Sequence, residues 1–343
     1  MKQVTINDVA KAAGVSRQTV SRAMNDKGEI SEETKERVLT AVRELGYRPN
    51  RMAQSMVTRR TGTVGLVFSD ILNPFFPEVA RGVQDVAREQ EYNVFLCNTD
   101  DDPKVETQIL QSLVAQGVDG IIILGSCLGA KALLEFADTY HPIIMTNRFV
   151  NHININQLIV DNVRGGALAA EHFVQQGHQH VGIITNENVS YSRVRRIQGF
   201  CNTLLQYEVA CDDSVIESGA PTLAGGYAAA KRLLTRQPQL TALFAYNDLM
   251  ALGAMRACRD MNLNIPEQVS IIGFDDIHLT SIVSPSLSSI RVDKYMIGVK
   301  AMTRLLEMLA RPDAEFPWQE MPVELVLRES TCLVNPQNGL KSS

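Results

Sequence analysis

The 343-residue chain is short of several things that would place it at once. It has no apolar run of roughly 18 residues, the length a bilayer span needs, and no apolar stretch behind its start of the kind a secretory signal carries. The expectation is therefore a soluble, cytoplasmic protein with no membrane association. It has no CxxC pair: its six cysteines, at 97, 127, 201, 211, 258 and 332, are scattered, some within apolar runs such as Val94 to Cys97. That distribution predicts buried free thiols in a reducing compartment.

A GxxxxGK[ST] phosphate loop, a GxGxxG strand–turn–helix and an HExxH helix are all missing, which removes the strongest nucleotide, dinucleotide and zinc-hydrolase signatures. His172, His178 and His180 lie close together but lack a metal-ligand spacing, so they are read as surface or loop histidines. Neither a cofactor nor a metal is expected.

Net charge is −5, but it is unevenly spread. Residues 1–61 hold 12 Lys and Arg against 7 Asp and Glu, so a head of +5 precedes a body of −10. Such asymmetry suggests a polyanion-binding appendage on an acidic protein. With 45% apolar residues, the chain has material for more than one core.

The head reads as helices. Thr5-Ile-Asn-Asp8 is a capping-box pattern opening a short helix that Gly14 can close, and Ser16 caps a second helix after a short turn. Helix, glycine-containing turn, helix is the helix-turn-helix signature. At 100° per residue, Val20, Ala23 and Met24 share one face of the second helix, and Arg17, Gln18, Ser21, Arg22 and Asn25 share the other. Arg pairs bidentately with guanine and Gln with adenine, while hydroxyls grip phosphate, so this face suits a DNA major groove. Ser31 caps a third helix with acids in its first turn and Val38, Ala41, Val42 and Leu45 as its apolar stripe. Pro49 disfavours helical geometry before it. Asn50 to Val57 has too few apolar residues to fold alone, so it should order only against something else.

From Thr63 the pattern changes to short apolar runs alternating with helix-length segments. Strand candidates are Val64 to Phe68, Val94 to Cys97, Gly120 to Leu124 and Ile143 to Met145, then Val181 to Ile184, Ala242 to Ala245 and Val269 to Gly273. Continuous apolar strands separated by helices predict two doubly wound parallel units. Ligands of such sheets bind beyond the strand carboxyl ends. Here those ends are Ser69 to Phe76, Asn98 to Asp102, Thr146 to Arg148, Tyr246 to Asp248 and Phe274 to Asp276, rich in amides, carboxylates and aromatics. That chemistry suits a neutral polyhydroxylated ligand. Each residue also has a plainer reading, Asn-Asp as a helix cap and Phe75-Phe76 as core. The convergence of five loops favours a site.

Together these residues resemble the lactose/galactose repressor family of bacterial transcription regulators. The likeness rests on Thr5 to Ser16 with Thr19-Val-Ser-Arg22, on Leu45-Gly-Tyr-Arg-Pro-Asn50, and in the body on Asn73-Pro-Phe-Phe76, Val160-Asp-Asn162, Gly165-Gly166, Gly177-His178, Asn247-Asp248 and Gly273-Phe-Asp-Asp276. The resemblance implies an all-α three-helix helix-turn-helix head (residues 1–47), joined by a hinge helix and linker (48–61) to an α/β core. That core, like periplasmic sugar-binding proteins, has two doubly wound parallel-sheet subdomains: an N-subdomain (62–161 and 292–320) and a C-subdomain (162–291 and 321–332). A disordered tail (333–343) follows. Chain crossovers are implied near Asp161, Arg291 and between Arg311 and Pro322.

The resemblance further implies that Arg17, Gln18 and Arg22 read bases, that Thr5, Ser16, Thr19, Ser21 and Asn25 contact phosphate, and that Asn50, Ala53 and Met56 enter the minor groove of a palindromic operator. Met56 stands where many relatives have a leucine wedge. Effector contacts carry over to Phe75 or Phe76 as a stacking platform and to Asn147, Arg196, Asn247 and Asp275 as polar groups. Several sugar-responsive relatives have aspartate at the position of Asn147, and purine-responsive ones supply an aromatic near Pro221, which is absent here. The C-terminus has no leucine heptads, so a homodimer is expected. The implied function is a non-enzymatic transcriptional regulator, most simply a repressor of carbohydrate-utilisation genes with a sugar effector. A nucleoside- or purine-responsive relative and a sugar-metabolising enzyme with a basic extension are the alternatives. A transport binding protein fits poorly with the basic head.

Overall fold

The computed structural model describes residues 4–24, 30–47 and 60–334. Asn25, the hinge positions Asn50, Ala53 and Met56, and residues 335–343 lie outside the described residues. The chain divides into two compact units, Met1–Thr61 and Gly62–Ser343.

The head contains α1 (Ile6–Ala13), α2 (Arg17–Met24) and α3 (Glu32–Glu44). Its helix ends are set by local chemistry. The Asp8 carboxylate accepts hydrogen bonds from the Thr5 backbone N–H at 2.8 Å and the Thr5 hydroxyl at 2.7 Å. Gly14 closes α1 at φ +63°, a conformation glycine adopts without strain. Ser16 Oγ accepts the Thr19 N–H at 3.1 Å, and Ser31 Oγ accepts the Thr34 N–H at 3.3 Å. Val9, Ala10, Ala13, Val20, Ala23, Val38 and Ala41 form the small core. Leu45, assigned to the stripe of α3, is 37% exposed. It lies past the last turn of the helix, where the chain turns away at Gly46 (φ +62°).

The body holds two six-stranded sheets. The first runs β11-β5-β4-β3-β1-β2, from β1 (Thr63–Phe68), β2 (Asn93–Asn98), β3 (Gly120–Leu124), β4 (Ile143–Thr146), β5 (Ile155–Val160) and β11 (Gln319–Met321). All its pairings are parallel. Its helices are α4 (Phe75–Glu89), α5 (Pro103–Ala115), α6 (Ala130–Thr139) and α11 (Lys294–Ala310).

The second sheet runs β12-β10-β9-β8-β6-β7, from β6 (Val181–Asn186), β7 (Ile216–Gly219), β8 (Ala242–Ala245), β9 (Ser270–Asp275), β10 (Ser288–Val292) and β12 (Val323–Val326). It carries α7 (Asn162–Gln175), α8 (Tyr191–Gln206), α9 (Leu223–Arg236) and α10 (Asp248–Asp260). One edge departs from the all-parallel expectation: β12 runs antiparallel to β10, because the chain returns from the first sheet across the single residue Pro322.

The chain passes between sheets after β5, after β10 and between β11 and β12. Three helix pairs cross on glycines. A Cβ on Gly298 of α11 would lie 2.0 Å from the Val79 carbonyl oxygen of α4, one on Gly199 of α8 2.0 Å from that of Val163 on α7, and one on Gly226 of α9 2.3 Å from that of Met250 on α10. Side chains there would force the backbones apart.

Five strands escaped the sequence reading. β5 carries Asn156 and Gln157, both buried, so its apolar run is broken by polar residues that find partners inside: Asn156 donates to the Phe316 carbonyl at 2.7 Å. β7, β11 and β12 are short edge strands, and β10 opens with two buried serines.

Two further expectations are corrected. Cys201 and Cys211 form a disulfide rather than remaining free thiols; only Cys97, Cys127, Cys258 and Cys332 are free. His172 and His178 are buried, not surface residues, and His178 Nδ1 lies 2.8 Å from the Thr241 hydroxyl. The first two tail residues are also tied down, since the Val334 N–H donates to the Gln176 carbonyl at 2.9 Å.

Candidate functional site

On the head, α2 buries Val20 and Ala23 and leaves Arg17, Gln18, Ser21 and Arg22 exposed. The face chosen from helical spacing is thus presented to solvent. The hydroxyls are partly engaged: Ser16 and Thr19 lie 2.9 Å apart, and Thr5 serves Asp8. Their visible work is to fix the ends of α1 and α2, which sets the direction in which the arginine face points.

In the body, a cleft of about 870 Å³ opens where the carboxyl ends of the two sheets meet. In each sheet it sits at the point where strand order reverses, beside β1 and β3 in one and β6 and β8 in the other. Crossovers diverge there and leave a crevice. The structure brings Phe75, Phe76, Asn147, Arg196, Asn247 and Asp275 into this one cleft.

Phe75 and Phe76 open α4, where the Asn73 side chain accepts the Phe75 N–H at 3.1 Å. Their rings meet edge-on at 5.3 Å, and Phe76 stacks on Phe68 at 5.8 Å. Phe75 is buried and belongs to the core, so Phe76, half-buried, offers the wider face. Asn147 ends β4 in the left-handed region at φ +53°, a conformation asparagine tolerates better than most residues.

Opposite them, Arg196 of α8 is 5% exposed and held from all sides. Its Nε donates to Asn162 Oδ1 at 2.8 Å, Nη1 to the Tyr246 carbonyl, and the guanidinium packs 3.4 Å from the Phe274 ring centroid and 4.7 Å from that of Tyr246. Its Nη2 stands 3.8 Å from Asp275. No hydrogen bond reaches the Asp275 carboxylate among the described residues, although the residue is 5% exposed. Burial pushes its pKa up to about 6 against the pull of Arg196 and Lys294. Below Asp275, the fully buried Asp248 is also pushed up, by burial and by Asp275 itself, and accepts from the Ser289 hydroxyl at 2.6 Å and the Ile277 N–H at 2.8 Å.

Asn247 is more committed than its sequence position suggested. Its Oδ1 caps α10 at the Met250 N–H (2.9 Å) and its Nδ2 donates to the Pro221 carbonyl (3.1 Å). Of the acidic run at 100–102, Asp102 caps α5 through the Lys104 N–H at 2.7 Å, and only Asp101 lines the cleft.

Sequence reasoning missed Tyr191, Ser192 and Arg195, which come from the first turns of a helix with no motif of its own. It also missed Ser126 and Cys127, held in place by the buried Glu106, whose carboxylate accepts the Cys127 N–H at 2.9 Å and the Ser126 hydroxyl. Among the described residues, no group of three or more His, Cys, Asp or Glu is arranged to hold a metal ion. The wall thus combines an aromatic platform, a fixed guanidinium and a carboxylate with unspent acceptors, groups that would hold a ligand rich in hydroxyls.

Comparison with known proteins agrees in both units. Residues 5–50 match the model for bacterial regulatory proteins of the lacI family, and residues 170–331 match that for a periplasmic binding protein-like domain. The chain is 37% identical to the ribose operon repressor of Halalkalibacterium halodurans, over 95% of this chain and 97% of that protein. It is 33% identical to the HTH-type transcriptional repressor PurR of Mannheimia succiniciproducens, over 95% and 98% respectively. Among solved structures, the lac repressor dimer bound to operator and the anti-inducer ONPF matches with a TM-score of 0.87 at 29% identity, covering 96% of this chain and all of that one. The chain belongs to the lacI family of bacterial regulatory proteins, transcriptional regulators that join a helix-turn-helix head to a periplasmic-binding-protein-like core.

Proposed function

We propose that this regulator is a cytoplasmic homodimer that represses carbohydrate-utilisation genes by binding a palindromic operator, and that a sugar in the body cleft sets its operator affinity. The observation that carries the ligand half is the meeting of Phe76, Asn147, Arg196, Asn247 and Asp275 in one cleft of about 870 Å³. Phe75 or Phe76 supplies the platform, Asp275 accepts paired hydroxyls, and Arg196, Asn147 and Asn247 supply the remaining polar contacts. The DNA half rests on Arg17, Gln18 and Arg22, exposed together on α2. Thr5, Ser16, Thr19, Ser21 and Asn25 contact phosphate, and Asn50, Ala53 and Met56 of the hinge enter the minor groove.

Two apolar surfaces support pairing of two copies. One is the set Ile71, Leu72, Phe95 and Leu96, all exposed beside the edge strand β2. The other is a groove of about 790 Å³ walled by Leu252, Met255, Leu263, Ile265, Leu279 and Val283. Exposed apolar area of this kind marks interaction surfaces. The reading is non-enzymatic: among the described residues no histidine lines the cleft to activate its serines, and burial with the Glu106 carboxylate pushes the Cys127 thiol well above its ordinary pKa.

The likeness to a ribose operon repressor makes D-ribose the first sugar to test. A thermal-shift screen of the full chain against sugars and nucleosides checks the reading, because a ligand that binds only the folded state raises its melting point. A rise with a sugar supports it, and a rise with nucleosides alone would replace the sugar by a purine or nucleoside effector. Turnover of a bound sugar would overturn the non-enzymatic reading.

A further inference from the structure

Lys294 is 3% exposed, at the first position of α11. The helix packs on the first sheet and on α4, but the side chain reaches back to the second sheet. Its Nζ donates to the Asp275 carbonyl at 2.8 Å, the Asp276 carbonyl at 2.9 Å and, at 3.4 Å, the Val292 carbonyl. Its partner on the first-sheet side is Glu78 of α4, 3.6 Å away. A buried ammonium is retained where its donors are satisfied and a counter-charge is near, and here three carbonyls and one carboxylate meet both conditions.

The turn it grips is strained. Asp275 has φ +106° and Asp276 φ +52°, a consecutive pair of non-glycine residues at positive φ. Such conformations are unfavourable for non-glycine residues and persist where surrounding contacts over-determine them. The other contacts hold the far side of the turn. The Asp276 N–H donates to Ser289 Oγ at 3.1 Å, the Ile277 N–H to Asp248, and Arg291 and Arg328 bind the Asp276 carboxylate at 2.7 Å each. Among the described residues, Lys294 alone binds the two peptide carbonyls of the turn from the other subdomain.

We infer that Lys294 is a positioning residue that holds the Asp275–Asp276 turn so that the Asp275 carboxylate faces the cleft, and that with Glu78 it straps that turn to α4 of the opposite subdomain. Cleft occupancy is thereby transmitted to the helix that begins with Phe75 and Phe76. The inference rests on the cleft being the ligand site only for its consequence; the strap itself is a property of the unliganded chain. Charge adds to it: the groups facing Asp275 are Arg196 from α8, Lys294 from α11 and Asp248 from α10, and of these Lys294 and Arg196 favour its ionised form.

Hydrogen exchange on the full-length protein, without ligand, tests the strap. In Lys294→Met, amides of the peptide spanning 274–280 should exchange at least tenfold faster than in the wild type, with the α7 and α9 peptides unchanged. Glu78→Gln, a change at a half-exposed position, should accelerate the same peptide about threefold and serves if Lys294→Met does not fold. Unchanged exchange of this peptide in both variants overturns the inference. Titration with D-ribose gives the second arm: Lys294→Met should weaken binding at least tenfold and move its acid limb to higher pH, which a loss of packing alone would not do. An unmoved acid limb in a variant with weakened binding overturns the positioning role. If ribose binds wild type and Asp275→Asn alike, the cleft reading fails while the exchange result still decides the strap.

Discussion

At the scale of single residues, the proposed function assigns DNA reading to Arg22 and the ligand response to Asp275. Arg22 lies on the exposed face of α2, so Arg22→Ala should cost about 1–3 kcal/mol on specific DNA and relax base preference at one position, which competition gel shifts would read. Asp275→Asn should leave operator binding intact and remove the response to ligand in the same assay. Loss of DNA binding with the response retained would reverse the assignment.

Asp275 also predicts a pH dependence. Its pKa is raised to about 6 in the folded protein, and a ligand donating hydroxyls favours the carboxylate. Affinity should therefore hold above pH 6 and fall as pH drops through it, approaching tenfold per unit. Calorimetric titration from pH 7.5 to 5 checks this, and a flat profile would show that the acid does not touch the ligand. Single residues were legible where spacing or a strand end announced them, as for Arg17, Gln18, Phe76 and Asp275. Arg196 came only through the resemblance, because nothing local marks a helix arginine that packs between Phe274 and Tyr246. Lys294 was invisible for the same reason: its partners Asp275 and Glu78 lie far away in the chain.

At the scale of elements, apolar runs identified seven strands, the edge strand β2 among them, and capping residues the helix starts. The five missed strands failed the test because polar residues break their apolar runs: β7, β11 and β12 are short edges each carrying a glutamate, as in Ile216-Glu-Ser-Gly219, and the interior β5 and β10 bury Asn156, Gln157, Ser288 and Ser289. Helix pairing was not readable either, yet it depends on glycines. A methyl on Gly298 would meet the Val79 carbonyl oxygen at 2.0 Å, so Gly298→Ala should destabilise the body by about 1–3 kcal/mol or more through overpacking, seen as a lower melting midpoint.

Between α7 and β6, His178 is 2% exposed and burial lowers its pKa from 6.5 to about 4. Between those values the unfolded chain takes up a proton that the folded chain does not, so stability falls as pH drops from 6.5 towards 4. The loss is roughly 3 kcal/mol at the acid end. His178→Gln should flatten that part of the stability profile in urea titrations, and an unchanged slope would place the acid sensitivity elsewhere.

For the whole molecule, the two-part division was legible from the switch between a basic helical head and an acidic α/β body. The cleft's place was legible too, because doubly wound sheets put ligands at their carboxyl ends. Linkage joins these parts: a ligand that changes DNA affinity must have its own affinity changed by DNA by the same factor. The proposed function requires paired heads on a two-fold DNA site, since linking two heads at fixed spacing multiplies a weak single contact.

The direct measurement is a gel-shift titration of the full chain at fixed salt. One probe is a palindromic duplex selected from a random pool, and the other is a random duplex of equal length. The account predicts that the palindrome binds on the order of a thousandfold or more tightly, with two chains per duplex. Equal affinity for both duplexes, or one chain bound per palindrome, would contradict it.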